Sequence, residues 1–140
     1  MRLIILLILI SASLKAPSYP AIVIPEGEVI NGYERIWTAI CQVESSGNIY
    51  AIGDKHLKQK SYGIAQIRQV RLDDYYNHTG IRYSTTDMFC PVKSKQVFLH
   101  YASQYNVNEI EAISRSWNGG KSGMKKEVTK KYYLKVRANL

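Results

Sequence analysis

From Tyr33 the chain carries apolar residues at helical spacing. Ile36, Ile40 and Val43 fall at i, i+4 and i+7, flanked by Trp37 and Ala39. This run leads into a single carboxylate, Glu44, and stops at once in Ser45-Ser46-Gly47-Asn48, where Gly47 suits a left-handed helix end. A chain written this way brings one acid to the end of an apolar helix and then turns away, which favours a small helical domain with a polar rim at that end.

Helical patterning continues downstream. Residues 49 to 62 are polar and irregular and predict a loop or a short hairpin. Gly63 to Ile67 opens a second apolar-periodic segment through Ile64, Ile67 and Val70. Ser84-Thr85-Thr86-Asp87 precedes a further helix with Pro91 in its first turn and a buried side of Val92, Val97, Phe98, Tyr101 and Tyr105. Asn108 with Glu111 has capping-box spacing and starts a helix through Ile110, Ile113 and Trp117, ended by the glycines after Asn118. Thr129 is placed to cap a last helix carrying Tyr132, Tyr133 and Val136. The expected fold is mainly α, a single domain of about five short helices with room for one short β-hairpin. Asp73 and Asp74 are expected to face solvent.

The ends and the charge set the context. Residues 1–16 join Arg2, an apolar run from Leu3 to Ile10 and small residues, the pattern of a secretory signal peptide. That run is short for a membrane span. Residues 17–30 hold Pro17, Pro20 and Pro25 and predict an extended lead-in, leaving 31–140 as the folded domain. The protein is therefore expected to be exported, to periplasm, cell envelope or beyond. A net charge of +8 directs it towards an acidic partner. No basic run comes with a nucleic-acid motif, so nucleic acid is not expected. The densest basic segment, KSGMKKEVTKKYYLK, is read as a solvated helix face. Cys41 and Cys90 would pair in an oxidising compartment if close, or remain two small buried thiols. His56, His78 and His100 show no ligand spacing, so neither metal nor cofactor is expected.

Glu44 is the residue with chemical potential. Desolvation at the end of an apolar helix disfavours the charged carboxylate, and the negative helix terminus adds to the effect. A carboxyl group kept neutral near pH 7 can protonate a leaving oxygen, as glycoside cleavage requires. For an isolated glutamate, the simpler reading is a side chain in water. Asp54 is the only other acid between Glu44 and Gly63.

Four motifs change that balance: ESSGN, SYGIAQI, SRSWNGG and TKKYYLKV, in this order. Together they resemble the lysozyme-like superfamily, specifically the soluble lytic transglycosylases, across residues 33 to 137. Similar segments occur in invertebrate-type lysozymes, although those are rich in disulfides and this chain has two cysteines. The resemblance implies a glycan-binding cleft and a role for each matched residue. Glu44 would be the general acid and base at the bond between N-acetylmuramic acid and N-acetylglucosamine, with a 1,6-anhydro product. Ser45 and Gln66 would bond the sugar or orient Glu44, Trp117 and Asn118 would line the substrate, and Tyr132 would sit over the acid. Each has a plainer alternative: a helix cap for Ser45, a loop contact for Gln66, core packing for Trp117 and Tyr132, a C-terminal turn for Asn118. Two other functions are carried alongside: a hydrolytic muramidase with Asp54 as second carboxylate, and a non-catalytic basic wall-binding protein. The implied partner is peptidoglycan, met by a monomer, in a setting of secretion, conjugation or phage machinery.

Overall fold

The computed structural model describes residues 28–140; the signal-peptide expectation and residues 17–27 of the lead-in lie outside them. Helix α1 (Glu28–Ser45) is the spine of the domain. Its Ile36, Trp37, Ala39, Ile40 and Cys41 are buried, as the apolar spacing requires. The helix starts at Glu28 rather than near Tyr33, so the extended lead-in does not reach residue 30. Proline and scattered apolar residues hid the start, which has no apolar period to mark it.

A three-stranded antiparallel sheet follows: β1 (Ile52–Gly53), β2 (Ser61–Tyr62) and β3 (Ile67–Arg68), ordered β1-β2-β3. Ile52 pairs with Tyr62, and Tyr62 with Ile67. The segment Gly63 to Gln66, expected to begin a helix, is instead the turn joining β2 to β3. Gly63 and Gln66 both adopt left-handed backbone, at φ 74° and 51°. Helix α2 (Gln69–Thr79) then begins without a side-chain cap and ends at Gly80. Val70 lies 58% exposed on it, outside the expected apolar stripe.

A 3₁₀ segment (Thr85–Phe89) carries a complete capping box between Ser84 and Asp87, and α3 (Pro91–Ala102) starts on Pro91 as its pattern predicts. Val92 is the exception on that helix, 66% exposed in the first turn, while Val97 and Phe98 are fully buried. Helix α4 (Ile110–Gly119) does not use the Asn108–Glu111 box. The Glu109 carboxylate accepts from the Asn106 backbone N–H instead, and Glu111 pairs with Arg115 one turn on. A second 3₁₀ segment (Gly120–Lys125) leads to α5 (Glu127–Arg137). Thr129 lies inside α5, not at its cap: its hydroxyl is buried against the Gly123 and Lys126 carbonyls and accepts from Arg115 Nε.

The mainly α expectation holds, with five α-helices among the described residues and one small sheet. The core is a single cluster in which Phe98 packs between Trp37 and Trp117, ring centroids 5.3 and 5.5 Å away. Such aromatic contacts contribute about 0.5–1.5 kcal/mol each beyond area burial. Cys41 and Cys90 are both free thiols, so no bridge braces α1.

Gly63 is held where a side chain cannot fit. A Cβ there would lie 1.9 Å from the Met88 carbonyl oxygen, and φ is left-handed as well. Gly63→Ala is therefore expected to destabilise the fold by more than about 2 kcal/mol, read as a lowered midpoint in denaturant titration.

Candidate active site

Glu44 sits at the last turn of α1, where three local devices end the helix and open the space beyond it. Ser46 and Gly47 both turn left-handed, at φ 53° and 78°, and the Gly47 N–H bonds back to the Cys41 carbonyl. Asn48 Oδ1 accepts from the Tyr50 backbone N–H and shapes the exit. Ser45 Oγ donates to the Ile64 carbonyl at 2.8 Å, stitching the helix end to the β2–β3 turn.

The carboxyl group lines a cleft of about 740 Å³, a size suited to a chain of small rings. Glu44 keeps contact with the cleft, while protein surrounds the rest of it. Tyr132 Oη, delivered by α5 from 88 residues away, donates to Glu44 Oε1 at 2.7 Å. Burial raises the Glu44 pKa above its ordinary value of 4.5; Tyr132 and the Arg71 charge pull the other way, and Asp54 adds to the rise. Burial, and then the Glu44 charge, push the Tyr132 hydroxyl up. That hydroxyl therefore stays protonated and remains a donor.

The other cleft acids are in a different state. Asp54, at a left-handed position (φ 52°) after β1, accepts from Arg68 at 2.8 and 3.2 Å. That contact holds its carboxyl below the usual range. Asp74 lines the cleft from α2, its side chain 46% exposed as expected, and accepts from Tyr101 Oη at 2.8 Å.

Of the residues anticipated from sequence, Glu44, Asp54, Gln66, Trp117 and Asn118 line the cleft, whereas Ser45 and Tyr132 act from behind it. The Gln66 side chain is committed to protein: Oε1 accepts from Ser61 Oγ at 2.7 Å, and Nε2 donates to the Gly63 and Ala51 carbonyls. Trp117 is 5% exposed and packs on Phe98, so only its rim reaches the cleft. Asn118 is exposed at the opposite lip.

Sequence reading missed Arg71. Its guanidinium lies 4.3 Å from the Trp117 ring centroid and 4.7 Å from that of Tyr101, and donates from Nη2 to the Trp117 carbonyl at 2.6 Å. The one available signal was its position on the helix after Gly-Ile-Ala-Gln, three residues before Asp74. Among the described residues, no three of His, Cys, Asp and Glu converge as a metal-ligand set.

The family model described as "Transglycosylase SLT domain" matches residues 27–139. No curated protein matches the chain. Among solved structures, a chain of the crystal structure of Aeromonas hydrophila PliI in complex with Meretrix lusoria lysozyme is similar at 21% identity, with a TM-score of 0.61. The likeness covers 75% of this chain and 88% of that one and establishes the fold alone.

A buried acid with a raised pKa makes stability fall as pH rises from the unfolded value through the folded one, because only the folded state resists ionisation. Glu44→Gln removes that penalty. The variant is expected to melt above the parent at pH 7, with the gap closing as pH drops below 4.5, in paired thermal scans. A gap that does not change with pH would show that Glu44 ionises freely.

Proposed function

The chain belongs to the transglycosylase SLT domain family, and on that footing we propose that it is a peptidoglycan lytic transglycosylase with Glu44 as sole acid and base. The observation carrying this reading is the half-buried carboxyl under Tyr132, biased towards its neutral form and open to a cleft. The neutral Glu44 gives its proton to the oxygen linking C1 of N-acetylmuramic acid to C4 of N-acetylglucosamine, and the C1–O bond breaks. Positive charge develops at the muramyl C1. The Glu44 carboxylate then takes the proton of the muramyl C6 hydroxyl as O6 bonds to C1. A 1,6-anhydro ring forms, Glu44 is neutral again, and no water is consumed.

The supporting residues divide by what they touch. Tyr132 holds the acid and moderates its pKa. Ser45 fixes the helix end, Gln66 the shape of the β2–β3 turn. Trp117 anchors α4 in the core, and Asn118 at its end offers an exposed amide to an N-acetyl group. Peptidoglycan lies outside the cytoplasm, so the export signal expected at residues 1–16 belongs to the same proposal, as does action as a monomer.

A second reading rests on Asp54. It lines the same cleft and stays ionised against Arg68 while Glu44 resists ionisation. Two carboxyl groups pushed apart in this way are what a hydrolase with a second carboxylate would use.

Purified sacculi with mass spectrometry of released fragments separate these readings. Anhydro-muramyl ends are expected from the parent protein, and Glu44→Gln is expected to lower release by about 10²–10⁴-fold. Asp54→Asn is expected to keep activity within about tenfold of the parent. Reducing ends lost with Asp54 would establish hydrolysis, and wall binding without any release would leave a non-catalytic protein.

A further inference from the structure

Arg71 is a cation set into the cleft wall without an anion of its own. Among the described residues, no carboxylate lies within ion-pair distance of it. Asp74, one turn along its helix, already accepts from Tyr101 and stands 3.8 Å from His78 Nε2. Asp54 belongs to Arg68. A guanidinium carries five N–H donors. Here Nη2 meets the Trp117 carbonyl, whereas Nε and Nη1 meet no protein acceptor, and neither is sealed from solvent. The Trp117 and Tyr101 rings, 4.3 and 4.7 Å from the guanidinium carbon, hold it at the cleft wall with its free edge open to the cleft. The protein offers this charge no carboxylate at ion-pair distance, so an oxygen-bearing ligand group at its free edge would supply the missing partner.

The ligand this geometry fits is planar and oxygen-bearing, a carboxylate or an acyl carbonyl, met edge-on. Glu44 and Arg71 line the same cleft, so the ligand group belongs to a sugar near the bond Glu44 would cleave. In an alternating glucosamine–muramic chain, N-acetyl groups occur on every ring. The 3-O-lactyl arm occurs on muramic acid alone and carries the acidic carboxyl, free or joined to a peptide. We propose that Arg71 binds the acyl oxygen of the lactyl arm and thereby makes the cleft select muramyl glycans over chitin-like ones. The assignment rests on the function proposed above and names the residue that sets its substrate class.

The test is direct titration by calorimetry with full-length Glu44→Gln protein, which needs no cleavage. Three four-sugar probes are compared: the alternating glucosamine–muramic oligomer with free lactyl carboxylates, the same oligomer bearing peptide stems, and chitotetraose. At least one muramyl probe is expected to bind about tenfold or more tighter than chitotetraose, and which one binds tighter tells carboxylate from amide carbonyl. Adding Arg71→Lys or Arg71→Met should weaken muramyl binding by about ten- to a hundredfold and leave chitotetraose within about threefold. Equal affinity for all three probes would overturn the assignment in protein that keeps Arg71, whether or not the variants fold. So would an equal loss of all three probes in folded variants, the mark of a strut between α2 and α4. A parent protein that releases nothing from sacculi, yet shows muramyl selectivity dependent on Arg71, would sink the reaction and leave this site standing. Cleavage without selectivity would sink only the site.

Discussion

The hydrogen bond from Tyr132 Oη to Glu44 Oε1 joins the last helix to the end of the first. Its reach depends on α5 standing in one place. The start of α5 is tied by Arg115, 8% exposed, which donates to Thr129 Oγ1 and to the Met124 and Lys126 carbonyls while pairing with Glu111. Gly123 lies so close to the Arg115 backbone that a Cβ would sit 2.1 Å from its carbonyl oxygen. A buried cation spread over four acceptors fixes the turn into α5, and the turn fixes where Tyr132 points. At the other end, the left-handed pair Ser46–Gly47 and the Ser45–Ile64 bond fix where α1 stops.

The cleft places its two acids under opposite conditions. Glu44 is crowded by protein, and burial disfavours its charge more than the neutral donors Tyr132 and Trp117 favour it. Asp54 meets a guanidinium, so its charge is favoured. An exposed pair of that kind adds little to stability. Its effect is to favour the charge on one cleft acid, while burial disfavours the charge on the other.

Much of this was legible in order along the chain. The apolar period of α1, the single acid at its end and the stop after it follow from residues 33–48 alone. Pro91 at the start of α3 was legible too, whereas the Ser84–Asp87 capping box and the 3₁₀ segment it starts were not read from the residues. Local chemistry misled wherever another partner took the residue's polar group. Asn108–Glu111 has capping-box spacing, but Arg115 takes Glu111. Thr129 is a good cap, but Arg115 and the Gly123 carbonyl draw it inward. Gln66 carries a motif expected to face sugar, yet its amide is spent holding its own turn.

The sequence by itself determined that a mainly helical domain ends its first helix on a lone acid, because helical spacing and helix breakers act over a few residues. It also marked the segments that would gather around that acid. Only the tertiary structure decided that the acid is enclosed, that Tyr132 donates to it from 88 residues away, and that Asp54 is paired with Arg68. It alone brought Arg71 between two rings, with donors left free in the cleft. Desolvation and pairing depend on what packs against a group from elsewhere in the chain, and no local pattern of residues records that.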